Sequence, residues 1–185
     1  KKTATIFAGE VKTCIKKAVG YLNCCENKGW GKDLDIAQCP AEEKKIGEAK
    51  QNYLTHFLGD YCSDWTSFPW GGGMCNERSN VYCIYTSKMA RIVHQHGRLA
   101  YNRYALGTAR EPKCQGLTPE QLSKINMTKI DFIKPVYLWD EEGKPSSLPD
   151  EKAGIGADIN IDEKDKSKVI DNISEKVNNY PGGKS

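Results

Sequence analysis

The sequence contains no run of about 18 or more apolar residues, and residues 1–7 have no apolar centre like that of a signal peptide. We therefore expect no transmembrane segment in this chain. Enzyme motifs are also missing: no G-x-S-x-G, no H-E-x-x-H and no phosphate-binding glycine loop occurs. Hydrophobic residues make up only 38% of the 185 residues, which predicts a thin core that needs additional stabilisation.

Cysteine is abundant by contrast, and all eight cysteines lie in the first part of the chain: Cys14, Cys24, Cys25, Cys39, Cys62, Cys75, Cys83 and Cys114. Their even number and dispersed spacing predict four disulfides, which persist in oxidising compartments such as the periplasm or cell exterior. Zinc binding is the alternative, but no pair has the C-x₂₋₄-C spacing typical of structural zinc sites. Adjacent Cys24 and Cys25 should bridge to different distant cysteines, and the pairing is otherwise open. Because export requires a signal, we expect this chain to be a mature or excised portion of a longer precursor.

Charge divides the chain into two parts. Residues 1–134 carry 20 basic and 13 acidic side chains, a net of +7, whereas residues 135–185 carry 7 basic and 11 acidic ones, a net of −4. The basic residues are scattered, which gives little support to nucleic-acid binding. We predict a cysteine-rich, disulfide-stapled domain over 1–135 and an acidic linker with an amphipathic helical tail over 136–185. The turn-rich segment 140–160 would form the linker, and the tail helix has an apolar stripe: Val169, Ile170, Ile173 and Val177.

Local patterns predict a few short elements. Residues 40–52 begin with proline and two nearby glutamates, which favours a surface helix. Residues 81–86 have the β-branched and aromatic composition of a strand, and a helix should follow from Ser87 and stop at Gly97. That helix would have a basic face opposite its apolar stripe of Met89, Ile92, Val93 and His96. Thr118 should open a short helix through a capping box. The predicted fold class is α+β, a small disulfide-rich domain with several short helices, few short strands and much irregular loop, plus a C-terminal linker and helix.

Histidine is the first side chain to consider for acid–base or metal chemistry. His94 and His96 lie two residues apart, so on a helix they face different directions and cannot readily share a metal. We therefore predict no catalytic site, no metal and no cofactor. The alternative function is a secreted disulfide-rich enzyme such as a cell-wall hydrolase, which needs a convergent acid–base pair. Its candidate residues are Glu26, Asp33, Asp60, His56 and His96.

Aromatic residues give a stronger signal between Cys62 and Cys75, where Trp65, Phe68 and Trp70 occur together with three consecutive glycines. This mixture favours a constrained, protruding loop over a strand or helix. Aromatic side chains are enriched where interfaces concentrate their binding energy. We predict that the loop contacts another envelope protein, with the alternative that these rings form the core of the domain.

Ordered sequence fragments resemble the TraN mating-pair stabilisation proteins of F-like conjugative type IV secretion systems. They cover about residues 6 to 134 and are similar to the C-terminal cysteine-rich region of that family. The main fragments are CCENKGWGKDL (24–34), IAQC (36–39), GDYCS (59–63), CNER (75–78), VYC (81–83), SKMARI (87–92), PKCQGLTPE (112–120) and KIDF (129–132). This chain departs from the family pattern in having one cysteine at Cys83, where two are common, and in its acidic tail.

The resemblance implies a non-catalytic, disulfide-rich protein in the periplasm, outer membrane or cell surface of a Gram-negative bacterium. It would stabilise contact between donor and recipient cells during conjugation. Its implied partners are other conjugation-apparatus or outer-membrane proteins. An outer-membrane protein of the recipient would be engaged through an upstream variable region that this chain lacks.

Overall fold

The computed structural model of the protein describes residues 4–17, 24–25, 39–99, 106–135, 151–155 and 175. Its centre is a three-stranded antiparallel sheet in the order β1-β3-β2. Strand β1 spans Gly9–Lys17, β2 spans Thr55–Ser67 and β3 spans Gly73–Tyr85. Short helices and four disulfides surround this sheet, which confirms the predicted class of a small disulfide-rich α+β domain.

Among the described residues, three short α-helices accompany the sheet: α1 (Ala41–Gln51), α2 (Lys88–Val93) and α3 (Pro119–Ser123). The predicted helix over 40–52 is confirmed, with Pro40 as its N-cap residue and not its first helical residue. The predicted capping box is also present. The Thr118 hydroxyl accepts from the Gln121 amide at 3.2 Å, and the Gln121 side chain accepts from the Thr118 amide at 3.0 Å. Single 3₁₀ turns follow at Met127–Lys129 and Glu151–Ala153.

The helix after Ser87 differs from the prediction in its end. Helix α2 continues beyond Val93 as a π-helical turn, His94–Leu99, so Gly97 lies inside the helical segment and does not stop it. Gly97 permits close packing instead, because a Cβ at this position would stand 2.5 Å from Cδ1 of Ile125. On this turn His94 is completely buried, whereas His96, which we placed on the apolar stripe, is only half-buried.

Strand β3 forms the middle of the molecule and is covered on both faces near its end. Tyr82 packs in one cluster with Ile46 of α1 and the Cys14–Cys25 disulfide. Cys83 and Tyr85 face the other way, where they pack with a second set of buried residues: Ala90, Leu106 and Cys114. Burial on both faces explains why residues 81–85 form a nearly continuous apolar run.

All eight cysteines are paired, which agrees with the predicted disulfide framework. The bonds are Cys14–Cys25, Cys24–Cys39, Cys62–Cys75 and Cys83–Cys114. Adjacent Cys24 and Cys25 bridge to different distant cysteines, as expected from disulfide geometry. The Cys14–Cys25 and Cys24–Cys39 bonds therefore attach β1 and the segment just before α1 to the same pair of neighbouring residues.

Residues 151–155 dock on the domain, although they fall in the segment that we expected to be a linker. Ala153 is fully buried, and its carbonyl accepts a hydrogen bond from Arg91 of α2. The Ile155 amide donates to the Phe132 carbonyl at 2.9 Å. The Val169 to Val177 stripe and the rest of the predicted linker lie outside the described residues, so the division at residue 135 stays a prediction.

Candidate binding surface at the hairpin tip

Strands β2 and β3 form a long hairpin whose far end extends past the third strand. The last pair of β1 joins Lys17 to Glu77, and beyond it only β2 and β3 are paired among the residues that the structure describes. We call residues 65–75 the hairpin tip. Their pairing continues to Ser67 opposite Gly73, so much of the segment that we expected to be a constrained loop belongs to the two strands. Trp65 belongs to strand β2 and lies opposite Cys75.

The turn at the end of the hairpin is built by one proline and two glycines. The Gly71 amide donates to the Phe68 carbonyl at 3.1 Å, which closes a tight turn with Pro69 in its second position. The Phe68 amide donates to the Gly72 carbonyl at 3.1 Å. Gly71 and Gly72 have φ values of 93° and 78°, a left-handed conformation that favours glycine. The turn backbone is therefore hydrogen-bonded within the tip.

Large apolar side chains remain exposed along the tip. Trp70 is 81% exposed, Trp65 is 57% exposed and Met74 is 46% exposed. The Phe68 ring stacks on the Trp70 ring with centroids 5.2 Å apart and an interplanar angle of 11°. The two exposed tryptophans therefore do not form the core. A role in binding for Trp65, Phe68 and Trp70 stays a prediction that agrees with this exposure.

Several contacts fix the position of the tip. The Cys62–Cys75 disulfide joins its two strands. On the same ribbon, the Asn76 side-chain amide donates to Thr66 Oγ1 at 2.6 Å and to Asp64 Oδ2 at 3.1 Å. The Trp65 indole lies over Gly73, where a Cβ would stand 2.7 Å from Nε1. Gly73 is thus the residue that allows the ring to lie flat against the hairpin.

Charge is absent from the tip itself. Residues 65–75 contain no Asp, Glu, Lys or Arg, whereas 28% of the whole sequence is charged. Carboxylates appear immediately behind it, at Asp64 and Glu77, and Glu77 accepts from the Ser63 hydroxyl at 3.2 Å. Further back, Arg78 forms an ion pair with Asp60. This uncharged run can be read from the sequence alone, and Met74 lies within it.

Among the candidate acid–base residues, His56 lies in the interior. The buried Arg91 guanidinium donates to Gln95 Oε1, which leaves the Gln95 Nε2 to donate to His56 Nδ1 at 3.1 Å. Burial, assisted by the charge of Arg91, lowers the pKa of His56 to about 3. His56 is therefore a neutral structural histidine at physiological pH. Arg91, which lies on the predicted basic face of this helix, is completely buried.

His94 is equally integrated into the packing. Its Nε2 donates to the Phe7 carbonyl at 2.8 Å, Arg98 approaches its Nδ1 at 3.4 Å, and its ring stacks on Tyr85 with centroids 4.9 Å apart. Burial lowers the pKa of His94 to about 4 and raises the pKa of the Tyr85 hydroxyl. These groups hold fixed protonation states near neutral pH, which suits packing better than proton transfer.

Of the remaining enzyme candidates, the structure describes Asp60 and His96, and these two do not gather around the buried histidines. Asp60 is engaged by Arg78 on the outer hairpin, and His96 is half-buried on the π turn. Glu26 and Asp33 lie outside the described residues. Within the described parts of the chain, no group of three His, Cys, Asp or Glu residues is placed to hold a metal ion. None of the helices described there is both long and apolar enough to cross a membrane.

Comparison with known proteins gives two matches. Residues 1–118 match the family model described as F-type Type IV secretion system, TraN. Over 169 residues the chain is 34% identical to the mating pair stabilization protein TraN of Escherichia coli (strain K12). That alignment covers 91% of this chain and 26% of the relative, so the chain spans about a quarter of the length of the relative. No solved structure shows a significant match.

Proposed function

Since the chain belongs to the TraN family of F-type type IV secretion systems, we propose that it is a non-catalytic binding and scaffold module that stabilises mating pairs during conjugation. The match over residues 1–118 carries this proposal. The similar protein of Escherichia coli is named for mating pair stabilization, and we extend that role to this module. Its place would be the outer membrane or cell surface of the donor, with other conjugation-apparatus or outer-membrane proteins as partners.

Within this role, the hairpin tip is the contact surface. The two tryptophans have 57% and 81% of their surface exposed. Exposed apolar area of this kind does not stabilise an isolated domain and is typical of interaction sites. The disulfide and the hydrogen-bonded turn restrict the tip before it binds, which lowers the entropy lost on binding. Contact with a recipient outer-membrane protein would use a region outside this chain.

Mating efficiency tests the contact role directly. Donor cells carrying Trp65→Ser together with Trp70→Ser should produce normal amounts of the protein and transfer DNA less efficiently. Val11→Ser is the matched control, because Val11 is also an exposed apolar residue, at 40%, but lies on β1 away from the tip. Wild-type mating by the tryptophan variant would refute the contact role.

The enzyme alternative predicts a different set of sensitive residues. A hydrolase would lose function when a candidate acid or base such as Asp60 or His96 is replaced by alanine. The scaffold proposal expects those replacements to leave mating unchanged, and expects loss when the cysteines are replaced. Mating lost through Asp60→Ala with the protein still folded would favour catalysis.

A further inference from the structure

We infer that the hairpin tip inserts into a zwitterionic phospholipid surface and acts as an interfacial anchor of the module. The inference rests on the contact role proposed above and names the class of its target. A protein target, which the sequence alone suggested, is the competing outcome. Three features of the tip distinguish the two targets: the arrangement of its apolar side chains, its lack of charge and its dimensions.

Apolar side chains stand on both faces of the ribbon. Trp65 pairs with Cys75 and Thr66 pairs with Met74, and neighbouring residues of a strand point to opposite faces. Trp65 and Met74 therefore project in opposite directions, and Trp70 with Phe68 occupies the end between them. A partner that packs on one face of the ribbon would leave the apolar side chain on the other face in water. A lipid environment surrounds the whole tip, and so accounts for apolar exposure on every side.

The polar groups of the tip also suit the membrane interface. No ionisable side chain occurs between Trp65 and Cys75, so insertion does not require a charge to lose water. The turn amides of Phe68 and Gly71 have internal acceptors, which reduces the cost of moving the turn into an apolar medium. Tryptophan is enriched at the level of the headgroups, where its ring is buried and its N–H meets water or lipid oxygen.

The length of the tip matches an interfacial anchor. From the Trp65–Cys75 pair to the Ser67–Gly73 pair is two residues, which at about 3.3 Å per residue, plus the turn, gives roughly 10 Å. Interfacial segments bury about 5–10 Å into the boundary between headgroups and acyl chains. Asp64 and Glu77 would then remain in water just outside the boundary, and they limit the depth of insertion.

Vesicle flotation tests the inference on the whole chain. The probe is vesicles of phosphatidylcholine and phosphatidylethanolamine, with brominated acyl chains to quench inserted tryptophans. We expect the wild type to float with these vesicles and its tryptophan emission to be quenched. About 0.5 M NaCl should leave binding unchanged, because screening weakens interactions between charges and the tip has none. Trp65→Ser with Trp70→Ser should lower the partition constant by about tenfold or more.

Two single variants make the test specific to this geometry. Met74→Ser should weaken partition several-fold, since Met74 faces away from Trp65 and only a surrounding medium covers both. Val11→Ser should leave partition unchanged. Near-ultraviolet circular dichroism and a thiol count confirm that each variant is folded and oxidised.

The outcomes separate this inference from the contact role on which it rests. The zwitterionic lipid target is overturned if the folded wild type does not float with the vesicles. It is also overturned if flotation requires anionic lipid and disappears in salt. Flotation that is unaffected by Met74→Ser overturns the two-faced insertion. If the wild type does not bind the vesicles but the tryptophan variant still impairs mating, the tip binds a protein and the contact role stands. If neither vesicles nor mating respond to the tryptophans, both proposals fall.

Discussion

Acidification should destabilise the domain, because two of its histidines are buried in the neutral form. His56 accepts from Gln95, and protonation would place a proton on the accepting nitrogen. His94 has Arg98 beside its Nδ1 and donates to the Phe7 carbonyl through the other nitrogen. The folded pKa values are about 3 and about 4, below the ordinary value of 6.5. Their stabilising contribution is therefore fully present above pH 6.5 and is lost as the pH falls toward the folded values.

The size of the loss at pH 5 depends mainly on the unfolded chain. Below pH 6.5 each imidazole takes up a proton in the unfolded chain but stays neutral in the folded domain. From pH 6.5 to pH 5 this difference extends over about 1.5 pH units. At about 1.4 kcal/mol per unit, this is about 2 kcal/mol for each histidine and about 4 kcal/mol for both. A domain with about 5–15 kcal/mol of stability would lose much of it. The ion pairs of Glu42 should survive, because Lys12 and Lys45 lower its pKa to about 2.

Urea unfolding with intact disulfides, at pH 8 and pH 5, measures this loss. The wild type should be about 4 kcal/mol less stable at pH 5, and His56→Gln or His94→Gln should each reduce that difference by about 2 kcal/mol. Each variant can be less stable than the wild type at pH 8 without affecting the test, which concerns the difference between the two pH values. A wild type equally stable at both pH values to within about 1 kcal/mol would refute the buried neutral state.

Other predictions concern the covalent framework and the docked tail. Thiol counting on the denatured, unreduced chain should find no free cysteine. Replacing Cys83 and Cys114 by serine should lower the free energy of unfolding by about 4 kcal/mol, since this disulfide closes the longest loop and is buried. Replacing Cys62 and Cys75 should cost about 3 kcal/mol from its shorter loop, and comparison of the two urea midpoints checks the order. Gly154→Ala should lower Tm by about 5 °C in a thermal melt, because its methyl group would overlap a backbone carbonyl; an unchanged Tm would contradict the docking of the tail.

Features that depend on neighbouring residues were predictable from the sequence. The capping box at Thr118 needs only the residue three positions later, and the helix after Pro40 follows from its first turn. The presence of four disulfides followed from the number and spacing of the cysteines, whereas the pairing beyond Cys24 and Cys25 did not. Pairing depends on which distant segments meet, and spacing alone does not contain that information.

Features that depend on distant residues were missed. Arg91 belongs to the predicted basic face of its helix, but it is buried and donates to Gln95 and to the carbonyl of Ala153, which lies 62 residues away in sequence. Gly97 looked like a helix stop, but its role is to admit Ile125. The strand character of Trp65 depends on pairing with the opposite strand, and no local propensity reports that. The exposed tip was found because its composition differs from the rest of the chain.

The placement of the disulfides explains how a domain with a thin core can present large apolar side chains to its surroundings. Six of the eight cysteines are at most 7% exposed and form three bonds inside the packed body. The bond between Cys62 and Cys75 differs, because both residues are only partly buried. Cys62 lies opposite Arg78, which still pairs with β1, and Cys75 lies at the base of the tip. An isolated two-stranded ribbon is marginally stable in water, and in the part of the chain that the structure describes no third strand pairs with the tip. At the tip the covalent bond does what burial does in the body: it holds the two strands in register while Trp65 and Trp70 remain available for contact. The same tip without the bond could still form, but each binding event would then have to order the ribbon as well as bury its rings.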